Sequence, residues 1–250
     1  MSRSVTMTVA GMAKRANPVF AVVAVVVPLV ALAYALTGAS REIHTFVHVM
    51  AGVLWTGFDL FMALVLGPVL GGLSVDERAS VFERFTPKMT FLMPTLALVT
   101  IAAGITLLMR LWSFPAADPW LALFTFATTV PALLLIGWQF GAFRDWRWVL
   151  PFAAAFGGSL AWFVLTIDQF AMTSHAVAAT LGIVTVLTVV GFGLLMPGEV
   201  KMYFEMTSDN PDKEVIGTIG MRNAKLAGVQ GLFQLAIIAV MVYIRFGAAQ

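Results

Sequence analysis

His44, His48, Trp55 and Asp59 lie in one apolar stretch and fall on one side of a helix. At about 100° per residue, His48 is about 40° round from His44, Trp55 about 20° back from His48, and Asp59 about 20° forward of it. Asp59 is then roughly 16 Å along the axis from His48, close to the middle of a bilayer. Neutral imidazole ligates haem iron and copper, and a carboxyl deep in an apolar helix holds or moves a proton or a cation.

The third histidine, His175, follows Asp168, Gln169 and Met172 at the start of another apolar stretch. Imidazoles from two helices at one level are what a bis-histidine b-type haem requires, so His48 and His175 are the expected axial ligands. His44 would then lie near a propionate, with Trp55, Phe46 and Phe163 as apolar walls. The same histidines, joined by the soft thioether of Met172, would also suit copper. The plainer alternative is a histidine pair that bonds headgroups or a neighbouring helix carbonyl. Gln234, halfway along the last apolar stretch, is the expected partner of Asp59, either in a structural clamp or in a proton or ion relay toward the histidines.

These residues must be positioned by membrane helices. Of the 250 residues, 60% are hydrophobic and 11% charged, whereas soluble chains carry about 25% charged residues. With a mean hydropathy of +0.92, a water-soluble globule is excluded. Apolar runs of membrane-crossing length occur at 18–38, 43–71, 89–112, 118–141, 148–171, 174–197 and 225–247. The expected fold is all-α: one integral membrane domain over residues 1–250, a bundle of seven transmembrane helices with the lipid bilayer as its main partner. The absence of cysteine rules out disulfides, thiolate metal sites and covalently attached c-type haem. A formal charge of +2 gives no reason to expect a nucleic-acid partner.

Orientation follows from the basic residues. Arg3, Lys14, Arg15, Arg78, Arg84, Lys88, Arg144, Arg147, Lys201, Lys213, Arg222 and Lys225 fall on one side, and Arg41, Arg110 and Arg245 on the other, twelve against three. The N-terminus is thus expected inside and the C-terminus outside. The first span, although preceded by Lys14 and Arg15 and followed by Gly38-Ala39-Ser40, has an apolar run longer than a cleaved leader's and reads as a membrane helix. Ser74 with Glu77 three residues on predicts a capping box opening a short interfacial helix over 74–88. Residues 198–224, with the turn signal Ser208-Asp209-Asn210-Pro211-Asp212, predict a solvated connector. Trp112, Trp120, Trp146 and Trp148 at span ends are expected to form an aromatic belt.

The stretch His48-Val-Met-Ala-Gly-Val-Leu-Trp55-Thr-Gly57 resembles the first helix of a superfamily of membrane proteins. That superfamily includes CopD-like copper-resistance proteins, the membrane domain of membrane-bound urate oxidase and a haem-binding protoporphyrinogen oxidase. Leu195-Met-Pro197-Gly-Glu-Val-Lys201, with Asp212 and Arg222-Asn223, is similar to the loop before the last helix of the urate-oxidase membrane domain. The resemblance implies an inner-membrane bundle, often with haem, and a histidine at the position of His48. The urate-oxidase relatives carry further histidines near Asn223 and commonly a cytochrome c tail, which this chain lacks, so urate oxidation is not expected. Three functions follow: a b-type haem protein in electron transfer, acting with membrane redox partners or a second copy; a permease for copper or another cation; and a scaffold subunit of a respiratory complex.

Overall fold

Helix follows helix through the computed structural model, which describes residues 5–111, 114 and 116–247. Arg3 and Trp112 lie outside the described residues. No strand occurs among them. The helices are α1 (Val5–Ala16), α2 (Pro18–Thr37), α3 (Arg41–Gly71), α4 (Val75–Arg110), α5 (Ala117–Phe140), α6 (Trp146–Gln169), α7 (His175–Met206) and α8 (Lys213–Phe246). The seven from α2 to α8 are long and apolar enough to cross a membrane, and each coincides with one of the spans read from the sequence. The chain is an all-helical, multi-pass membrane protein.

Polar residues just ahead of the helices start them. Asn17 takes a left-handed backbone (φ 77°) and accepts from the Val19 amide at 3.0 Å, with Pro18 opening α2. Ser40, Asp145, Ser174 and Asp212 cap α3, α6, α7 and α8 in the same way. The expected capping box closes in both directions: the Ser74 amide and hydroxyl donate to Glu77 Oε2 at 3.0 and 2.7 Å, and the Glu77 amide donates to Ser74 Oγ at 3.4 Å. Gly141, at φ 62°, ends α5, letting the Ala142 amide reach back to the Gly137 carbonyl at 2.8 Å.

Two loop expectations are corrected. The helix begun at Ser74 is not a separate interfacial one but the first turns of α4, and the 198–224 connector shrinks to residues 207–212 because α7 runs to Met206 and α8 begins at Lys213. The reason is packing. Phe82 and Ala79 on α4, Met202 and Met206 on α7 and Ile216 on α8 bury one another around Leu70, so these extensions carry a core of their own. Gly220 admits the Phe82 ring where any Cβ would collide with it.

The helices group into two compact units. The first comprises residues 1–107 and 198–229. In it Met62 of α3 meets Ala224 and Ala227 of α8, and a Cβ at Gly228 would stand 2.9 Å from that of Ala63. The second comprises residues 108–197 and 230–250. Here Trp148 of α6 sits in the notch left by Gly137 and donates from Nε1 to the Leu133 carbonyl at 2.9 Å, so it serves as an α5–α6 wedge. Phe114, Val177 and Leu181 form a second cluster. Only 6% of the apolar window of α6 is buried, which leaves nearly all of that helix for lipid.

Both α3 and α7 contain one wide π turn, at Met62–Leu66 and Gly191–Leu195. Their closing bonds run from the Gly67 amide to the Met62 carbonyl and from the Met196 amide to the Gly191 carbonyl. Single turns of this kind inside α-helices are frequent at functional sites.

Candidate functional site

The face of α3 read from the sequence is turned into the first unit: His44, Trp55, Thr56 and Asp59 are buried, and His48 is half-buried. The two histidines, a turn apart, are held differently. His44 is fully buried, and its Nε2 lies 3.1 Å from the Ala103 carbonyl oxygen and 3.2 Å from Thr106 Oγ1, both on α4. A carbonyl only accepts, so Nε2 carries the proton and donates. His44 is therefore a tie between α3 and α4, and that nitrogen is not offered as a ligand.

His48 has the opposite arrangement. Its Nδ1 donates to the Thr100 carbonyl oxygen at 2.9 Å, which fixes the neutral tautomer with the lone pair on Nε2. Nε2 makes no hydrogen bond among the described residues. The ring lies against Gly104, where a Cβ would come within 2.7 Å of Cε1. A ring nitrogen donating to a backbone carbonyl while the other stays open is the usual second-sphere arrangement of metal-ligating histidine.

His175 is the exposed first residue of α7, and Met172, in the turn before it, is 72% exposed. Both belong to the second unit, His44 and His48 to the first. Among the described residues, no three His, Asp or Glu side chains group closely enough to hold a metal ion. Asp59 and Gln234 are each 2% exposed; Asp59 lies in the first unit just ahead of the π turn of α3, and Gln234 lies on the part of α8 in the second.

Three polar side chains of the interior escape a reading by apolar span. Gln230, at 2% exposure, donates from Nε2 to the Leu187 carbonyl at 2.8 Å, and Gln139 donates from Nε2 to the Gly193 carbonyl at 2.6 Å. These two amides bracket the π turn of α7 and satisfy carbonyls at and beside it. Glu199, placed by span length in a solvated connector, is instead helical, with its Oε2 sealed from solvent. The apolar run Val200, Met202, Tyr203, Phe204 and Met206 is the signal that the helix continues past Pro197.

No family model, no curated protein and no solved structure matches the chain. Its function has to be argued from the chemistry of these residues.

Proposed function

We propose that this multi-pass membrane protein resides in the inner (plasma) membrane and binds b-type haem for electron transfer, with His48 as an axial ligand. The supporting observation is the state of its imidazole: Nδ1–H committed to Thr100, Nε2 open, the ring seated on Gly104. A bound haem would supply one-electron exchange at iron. What the chain supplies is a neutral imidazole of fixed tautomer, with the buried indole of Trp55 two turns along the same face. His44, whose Nε2 is spent on Ala103, contributes rigidity.

Visible absorption of the purified full chain, expressed with haem supplementation, tests this reading. A Soret band is expected in the wild type and in His44→Ala, and its loss in His48→Ala. A wild type without the band, or an undiminished band in His48→Ala, refutes it.

A second reading is a permease for copper or another cation, with Asp59 on its path. It is favoured by the burial of Asp59 within a membrane helix, a placement that is costly without a function. Expression should then change cellular copper content, Asp59→Asn should abolish the change, and equal accumulation with and without the chain would exclude copper as cargo.

A further inference from the structure

The exposed side of α8 has an order that neither role uses. Counted from Glu214 at about 100° per residue, Lys225 lies about 20° round the unbroken helix, Thr218 about 40°, Val229 about 60° and Arg222 about 80°. These five share one sector, and all are exposed. Residues 226–244 carry no charge. At about 1.5 Å per residue they cover roughly the 30 Å of a hydrocarbon core, so Lys225 marks its edge and Arg222 stands one turn further, among headgroups. Along this stripe the helix presents apolar surface at Val229, then two cations at the level of lipid phosphate, then a hydroxyl and a carboxylate.

The cations are positioned but not neutralised. Arg222 rests on α7 at Gly198, where a Cβ would be 2.8 Å from Nη2, and it donates to Asn223 Oδ1 at 3.4 Å. Among the described residues neither Arg222 nor Lys225 pairs with a carboxylate. Like charges one turn apart repel, and an anion between them removes that cost. Beyond them a shallow cavity of about 380 Å³ is lined by Asp212, Glu214, Val215, Thr218 and Ile219. Asp212 is committed to the helix start, its Oδ1 accepting from the Glu214 and Val215 amides at 2.8 and 3.2 Å, and Lys213 is paired with Asp76 at 3.0 Å. The Glu214 carboxylate has no partner among the described residues. Two positive charges followed by a negative one complement a headgroup whose phosphate is followed by an ammonium. We propose that this face of α8 binds phosphatidylethanolamine, with the phosphate on Arg222 and Lys225, the ammonium donating to Glu214 and Thr218 Oγ1, and the acyl chains along Val229. Phosphatidylglycerol brings no cation to Glu214, and the choline headgroup has methyl groups where ethanolamine has N–H donors. The site rests on neither the haem nor the permease reading.

The test is native mass spectrometry of the delipidated full chain in detergent, titrated in turn with phosphatidylethanolamine, phosphatidylglycerol and phosphatidylcholine of the same acyl composition. One saturable phosphatidylethanolamine adduct is expected, with a Kd about tenfold below that of the other two lipids, the scale of one hydrogen bond between charged groups. Arg222→Gln and Lys225→Gln should each weaken all three lipids by about tenfold. Glu214→Gln should weaken phosphatidylethanolamine alone, to the level of phosphatidylcholine, and Arg84→Gln, at an exposed cation of α4, should change nothing. Equal binding of the three lipids overturns the proposal. So does tighter binding of phosphatidylglycerol, which would make this a general basic patch, and so does an unchanged Kd in both Lys225→Gln and Glu214→Gln. Displacement of the lipid by an equal concentration of free glycerophosphoethanolamine would assign the site to a soluble ligand and overturn it as well. Should Arg222→Gln fail to accumulate for want of its seat on Gly198, the variants at Lys225 and Glu214 decide.

Discussion

The ring of His48 occupies the space that a side chain at Gly104 would take: a Cβ there would stand 2.7 Å from Cε1 and 3.1 Å from Nδ1. Helix α4 therefore both supports the ring and, through the Thr100 carbonyl, selects its tautomer. Gly104→Ala is expected to push the ring off this seat and weaken haem binding by about tenfold, the usual scale for loss of a ligand's supporting bond. Haem titration of the purified variant measures it; unchanged affinity would show that the seat is irrelevant to ligation.

His44→Ala should behave differently. It empties a fully buried position and removes the donor to the Ala103 carbonyl, a loss on the order of 2–4 kcal/mol. The unfolding midpoint should fall clearly while the Soret band per folded molecule stays the same. Loss of haem without loss of stability would reverse the roles given to the two histidines.

The amides bracketing the π turn of α7 should act locally. Gln230→Leu frees the Leu187 carbonyl and Gln139→Leu frees that of Gly193; each should cost about 1 kcal/mol, the ordinary worth of an interhelical hydrogen bond in a membrane. Hydrogen exchange should quicken at residues 187–196 and stay unchanged in α3. Protection unchanged around the wide turn would mean that it holds without the amides.

Ser74→Ala removes one half of the capping box and should destabilise the start of α4 by about 1 kcal/mol. Exchange should rise over residues 75–79 and leave the turns around Thr100 untouched. A uniform rise along α4 would mean that the helix opens as a whole.

The membrane helices were legible because a hydrocarbon slab demands about twenty apolar residues whatever the partners are, and the inward face of α3 because helical phase is simple geometry up to Asp59. Beyond that residue the wide turn at Met62–Leu66 breaks the phase, and no local residue preference announced it. The extensions of α4, α7 and α8 were missed for another reason. Phe82, Met202 and Ile216 bury one another rather than meeting lipid, and span length cannot foresee that. Glu199 went with them, since a carboxyl past the end of a span reads as solvated. His44 and His48 are chemically identical in the sequence; only the carbonyl that each one meets, Ala103 or Thr100, separates the tie from the open ligand. Trp148, expected at the interface, fills the notch at Gly137 because the chain turns back at once after Gly141.

The wide turn in α3 has a further consequence for how this helix can vary. A π turn accommodates one residue more than the helix around it, so every side chain after it is carried about 100° round the axis from where an unbroken helix would put it. The segment bearing His44, His48 and Asp59 and the segment bearing Leu66 and Leu70 therefore answer to separate neighbours, like two words set in different alignments on one line. Such a turn is what a one-residue insertion leaves behind when the packing on both flanks is kept. Substitutions can accumulate on the Leu70 side to suit Phe82 and Met202 without compensation near the histidines, and the histidine side can be retuned without disturbing the contacts around Leu70.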